Sequence, residues 1–165
     1  MIQRMVDVAR SEGLAFDFDR IRPGNTFDAH RLIHLAREHG LQDRTKERLL
    51  GAYLEEGQAI ADRENLQRLA VEAGLDPGTA KSALQSDAFA DAVRADEKEA
   101  ASLGIHGVPF FVVGGRYALS GAQPAELLLE VIEQAFRELG PQELFSVSEG
   151  AVCGPEGCRD ANSLE

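Results

Sequence analysis

The stretch GIHGVPFFVVGGRYALSGAQP, Gly104 to Pro124, decides the fold. It sets a proline directly before the most apolar run of the chain, then a double glycine, a second short run and another proline. A proline has no backbone N–H to give to a ladder, so it belongs at the entry of a strand or on an edge. Val108-Pro109 therefore reads as the mouth of a strand, Phe110 to Val113. That run is continuously apolar, which predicts a strand covered on both faces. Gly114-Gly115 predicts a two-residue hairpin turn, with Arg116 to Leu119 as the returning strand. From spacing alone Pro109 has two readings, an ordinary trans proline that starts a strand or a cis proline beside a binding site. In the second, the N–H and C=O of Val108 are free to pair with an extended peptide.

Upstream the pattern is helical. LAFDF, residues 14 to 18, reads as a short extended segment before the turn RPGN. Asn25 or Thr26 can cap a helix to Gly40 with Phe27, Leu32, Ile33 and Ala36 on one face. Asp43 opens a second helix with a stripe of Leu49, Leu50, Tyr53 and Leu54, and Glu55 and Glu56 fall on its solvated side. Asp62 opens a third, carrying Leu66, Leu69 and Ala70 to Gly74. The DPG at 76 to 78 is an N-cap aspartate followed by proline at the first helical position. A further helix after Ser86 is built on Phe89, Val93, Ala100 and Leu103. Pro124 begins a last helix with Leu127, Leu128, Val131, Ile132, Ala135 and Phe136 toward a core, closed by Gly140-Pro141. The remainder, 141 to 165, reads as a flexible tail containing CGPEGC.

At 165 residues the chain holds one domain with a real core, or a small domain with an insertion. Hydrophobic residues at 44% and charged ones at 27% exclude extended disorder. The formal charge of −11 repels phosphate backbones, so nucleic acid is not an expected partner. No run is long and apolar enough for a bilayer, and Met1 to Arg10 lacks the apolar core of a signal peptide. The expectation is a cytoplasmic protein without a membrane partner.

The segment G-I-x-G-V-P-F-F-V-V-x-G-x-Y-x-L-S-G-A-Q-P, together with PGNTFDAHRLIHLAREHGL at 23 to 41 and AYLEEGQAIADRENL at 52 to 66, resembles the FrnE-like branch of the DsbA-like thioredoxin superfamily. The resemblance spans about residues 14 to 139. It implies an α/β, thioredoxin-like (DsbA-type) fold with a helical insertion, predominantly helical here with a β-hairpin remnant of the sheet. Residues 1–24 and 104–140 would form the incomplete thioredoxin-like part, 25–103 the helical insertion and 141–165 the tail. It also implies that Pro109 is a cis-proline and that Val108 and Pro109 receive substrate backbone.

Family members open with a Cys-x-x-Cys pair at a helix N-terminus, where a thiol becomes a low-pKa thiolate. This chain has only Cys153 and Cys158. The expectation is a C-terminal portion begun at an internal methionine, without the principal nucleophile. The resemblance suggests that the C-x4-C acts as an auxiliary redox pair. Gly154-Pro155-Glu156-Gly157 is turn chemistry able to bring the two cysteines into disulfide range, and two reduced thiols on the tail is the alternative.

His106, three residues before Pro109, is either a loop histidine or a cation favouring a nearby thiolate. Asn25, Thr26 and His30 either cap and pack a helix or line a groove, as the same neighbourhood does in related glutathione-dependent enzymes. HRLIH, with His30 and His34 one turn apart, lacks the glutamate of a zinc-protease helix, and no metal is expected. The function implied is a thiol–disulfide oxidoreductase acting on protein thiols and disulfides, with no cofactor. The alternatives are a relative that uses glutathione, and a non-catalytic module that binds a protein or forms a homodimer through the unpaired edge of the Phe110 strand.

Overall fold

The structure, a computed structural model, describes residues 2–144 and the backbone of 152–154 and 157–159. It divides into two compact units, Met1–Ser102 and Leu103–Glu165.

The first unit is helical. It runs through α1 (Ile2–Ser11), α2 (Phe27–Glu38), α3 (Gln42–Leu54), α4 (Arg63–Glu72), α5 (Pro77–Gln85) and α6 (Ala90–Ser102). α2 lies at its centre, packed against α3, α4, α5 and α6, and α4 packs against α5. Leu32, Leu66 and Leu69 are wholly buried, with Leu35, Leu49, Leu75 and Leu84 around them. Two caps are those the sequence predicts: Asp62 accepts from the Asn65 N–H and Asp76 from the Thr79 N–H, with Pro77 at the helix start, whereas α3 begins at Gln42, before the expected Asp43, with no side-chain cap. The Thr79 backbone and hydroxyl hold the Asp76 carboxyl below its ordinary range. At α2 the N-cap Thr26 makes no side-chain bond, and the Asn25 carbonyl takes the Phe27 N–H instead.

Several expectations are corrected. α1 occupies a stretch read only as lacking a signal, although Ile2, Met5, Val6 and Ala9 already keep helical spacing. LAFDF is extended but joins no ladder; Asp17 N–H bonds Leu54 O, and Ala15 N–H bonds the Glu55 carboxylate. Leu50 and Leu103 are exposed, and Val93 is the one buried residue of α6. Phe89, expected on the helix, precedes it in the left-handed region at φ 62.

Arg31, invisible as a core residue in sequence, is 3% exposed in the middle of this unit. Its guanidinium donates to the carbonyls of Ala83, Ser86 and Ala88 and to Asp28 Oδ1, tying α2 to the segment between α5 and α6. Asp28 also receives Arg63 Nε at 2.7 Å. Burial alone would raise the Asp28 carboxyl, but the hydrogen bonds from Arg63 and Arg31 outweigh it and hold the group below 3.8. A carboxylate depressed in the folded state contributes stability that is present above its unfolded value and lost as pH falls through its folded value. The unit is therefore expected to lose stability on acidification below about pH 4. Arg63→Gln, which removes one partner, should move that loss to higher pH in urea melts followed by circular dichroism; an unchanged acid limb would refute the assignment.

Two further positions are tight. Gly57 adopts φ +66, and a Cβ there would sit 2.7 Å from Arg20 O, so the loops at 20 and 57 touch backbone to backbone. Thr45 is 1% exposed and its hydroxyl has no hydrogen-bond partner among the described residues. A buried hydroxyl without a partner costs about 1–3 kcal/mol, so Thr45→Val is expected to raise stability by about 1 kcal/mol in urea denaturation. A loss of similar size would show that the hydroxyl has a partner.

The second unit holds β1 (Phe110–Val113), β2 (Tyr117–Ser120) and α7 (Ala125–Leu144), followed by β3 (Val152–Gly154) and β4 (Gly157–Arg159). β1 and β2 pair antiparallel, Phe110 opposite Ser120 and Val113 opposite Tyr117. Three residues connect them rather than two, with Gly114 and Gly115 both at positive φ and Arg116 N–H on Val113 O. α7 packs on β1, with Ala135 buried and Leu128 and Val131 half-buried at helical spacing. The Tyr117 hydroxyl donates to Glu138 at 2.6 Å; that bond holds the carboxyl down and raises the phenol. α7 continues past Gly140-Pro141, the expected stop, although a proline inside a helix forfeits one hydrogen bond and crowds the carbonyl four residues back.

The largest correction is to the strand itself. Phe111 and Val112 are 39% and 49% exposed, so β1 is not covered on both faces. A two-stranded sheet with a helix packed on β1 leaves apolar surface open, and Leu129, Ile132 and Phe136 on α7 are exposed as well. The reading of 141–165 as a flexible tail falls largely outside the described residues. Among the described residues no helix is long and apolar enough to cross a membrane.

Candidate functional site

At the entry to β1 the chain runs His106, Gly107, Val108, Pro109, all exposed, and Val108 is 90% exposed. The Val108–Pro109 peptide bond is cis. Gly121 N–H donates to Pro109 O at 2.8 Å, which extends the β1–β2 ladder by one position and fixes Pro109 on the sheet. Among the described residues the N–H and C=O of Val108 have no backbone partner. An apolar residue this exposed, anchored on one side by a sheet and with its backbone unpaired, is a place where an extended polypeptide can dock. Gly121, which the sequence reading passed over, supplies the anchor; the turn signal SGAQP marked its position without revealing its bond.

Asn25 and His30 belong to the other unit, at the start of α2. Asn25 spends its side-chain oxygen on the Phe27 N–H, and His30 is exposed. His34, one turn on, pairs through Nε2 with Asp96 Oδ2 at 2.8 Å and links α2 to α6, which gives it a packing role. Phe27 lies beneath the Arg94 guanidinium, 4.5 Å from its centroid, a second tie between the same helices. Among the described residues no cluster of His, Cys, Asp and Glu could hold a metal.

The two cysteines stand opposite each other: β3 and β4 pair antiparallel with Cys153 facing Cys158 and Gly154 facing Gly157. Residues directly opposed in such a pair have Cα atoms about 4.5–5.5 Å apart, within the separation a disulfide spans. This backbone register can therefore carry a reversible dithiol/disulfide couple.

Six helices followed along the chain by a two-stranded hairpin and a further helix, with a cis-proline at the strand entry, are the architecture of a DsbA-type thioredoxin-like protein. The chain belongs to the DSBA-like thioredoxin domain family, whose model matches residues 1–133. The crystal structure of a probable DsbA oxidoreductase from Streptomyces coelicolor is similar, with a TM-score of 0.79 and 41% sequence identity, over 95% of this chain and 67% of that one. The uncharacterized protein YwbO of Bacillus subtilis (strain 168) is 32% identical over 109 residues, 65% of this chain and 54% of that protein. The chain thus spans about half the length of that curated relative.

Proposed function

We propose that the chain serves thiol–disulfide exchange on polypeptides, as a member of the FrnE-like branch. Docking would use the exposed Val108 backbone beside Pro109, with His106 adjacent. The observation that carries this reading is the 90% exposure of Val108 at the anchored strand entry. The exchange itself uses Cys153 and Cys158 as the auxiliary pair. A client thiolate attacks one sulfur of the Cys153–Cys158 disulfide, and the other cysteine leaves as thiolate and takes a proton. The second client thiol then attacks the mixed disulfide and releases the first cysteine. One client disulfide forms and one dithiol is left on the chain, so two electrons pass from client to protein.

What supports the reading is family membership, the likeness to a probable DsbA oxidoreductase, and the register that faces the two cysteines. The test incubates the oxidised chain with a reduced, unfolded polypeptide carrying two cysteines and counts thiols on both. Stoichiometric transfer is the expected result. No transfer from a demonstrably oxidised chain would remove the catalytic reading, leaving a protein-binding role for the same site.

A further inference from the structure

We infer that the reduced Cys153–Cys158 pair is also a two-coordinate site for copper(I), formed by the register of β3 against β4. That register sets Cys153 opposite Cys158 and Gly154 opposite Gly157. Residues directly opposed in an antiparallel pair share one face of the ribbon, because successive positions along a strand alternate between faces. The two cysteines therefore stand side by side on a single face, and Arg159, the next residue along, falls on the other.

The donor set selects the ion. From Gly140 to Glu165 the chain holds two cysteines, no histidine and no methionine, so its soft ligands are these two thiols alone. A structural zinc site takes four nitrogen or sulfur ligands, and this stretch supplies half of them. Its carboxylates, among them Glu149, Glu156 and Asp160, are hard oxygen donors of the kind that suits magnesium or calcium. Among the described residues no group of three or more His, Cys, Asp and Glu gathers to hold a metal. Copper(I) is soft, favours thiolate sulfur and is satisfied by two ligands in line, so a facing pair completes its coordination.

The spacing fits as well. Directly opposed strand residues have Cβ atoms about 4.5–5.5 Å apart, whereas a disulfide draws them to about 3.5–4.5 Å. The two ranges meet at their ends. A small closing movement makes the disulfide, and the more open ribbon leaves room for one ion between the sulfurs.

Binding is an exchange of protons for metal. One copper(I) ion enters, each thiol gives up its proton to solvent, two copper–sulfur bonds form and no electron moves. The disulfide has no thiolate to offer, so the ion and the oxidised pair exclude each other, and copper(I) holds the chain reduced. The site uses the same sulfurs as the exchange proposed above but does not rest on it, since it needs the register and neither a client nor the Val108 dock.

The test titrates the full, reduced chain without oxygen against copper(I) held by a coloured chelator, with the mass of the complex read in parallel. One ion per chain is expected. Cys153→Ser and Cys158→Ser should each weaken binding by more than the about 10–100-fold that loss of an outer-shell partner costs. The register has its own control: Cys158→Ser with Arg159→Cys keeps two thiols but moves one to the opposite face, and it should bind as weakly as a single serine variant. The loaded chain should also resist oxidation to the disulfide, and zinc should be stripped from the site by a chelator that leaves copper(I) in place. Uptake unchanged in the serine variants, full affinity in the face-shifted variant, or zinc held as firmly as copper(I) would each overturn the proposal. Failed transfer to a client with copper(I) binding intact would remove the exchange reading and leave the metal site standing.

Discussion

Arg31→Ala is expected to lower the stability of the helical unit by about 3–5 kcal/mol, the usual cost of removing one partner from a buried charged network. The reason is the number of groups it leaves behind. Ala83, Ser86 and Ala88 each lose a charge-assisted donor, and these carbonyls lie where α5 ends and the chain turns into α6. Phe89 sits in the same turn at φ 62, a conformation a bulky residue keeps only when its surroundings hold it. Arg31→Lys should not rescue, because an ammonium cannot match the planar fork that reaches several acceptors at once. Urea denaturation gives the size of the loss. Amide exchange should also show α6 opening before α2 and α4, since α6 buries only Val93. A loss below about 1 kcal/mol, typical of surface pairs, would mean that the guanidinium is not the organising element of this core.

The second large effect concerns exchange. Cys153→Ser and Cys158→Ser, singly, should each abolish two-electron transfer to a client, because a lone thiol can form a mixed disulfide but cannot resolve it. The singles should differ in what they trap. The variant that retains the attacking sulfur should accumulate a mixed disulfide with an oxidised client peptide, visible as a mass shift, and the other should accumulate less. Transfer undiminished in the double variant would show that these cysteines are not the redox pair, while docking at Val108 would stand or fall on client binding alone.

The fold was legible in the sequence wherever structure is set locally. Asp62 and Asp76 cap their helices as their spacing with Asn65 and Thr79 demands, and Pro77 starts α5 where its missing N–H costs nothing. The hairpin was legible from its glycines, though the connection is one residue longer than the double glycine suggests. α1 is legible too, since Ile2, Met5, Val6 and Ala9 keep helical spacing. At the candidate site, Val108, Pro109 and the facing cysteines stood out by residue type and order. The Gly121 anchor and the His34–Asp96 link did not, because each depends on which separate segments meet.

By itself the sequence determined the starts of α4 and α5, the place of the strand pair and the family, because caps, periodicity and short motifs are properties of neighbouring residues. Only the tertiary structure decided that Arg31 is interior and that Phe111 and Val112 are open to solvent. Burial depends on which surfaces come together: an arginine with enough carbonyls around it can be sealed in a core, and an apolar strand packed on one side stays exposed on the other however hydrophobic it is.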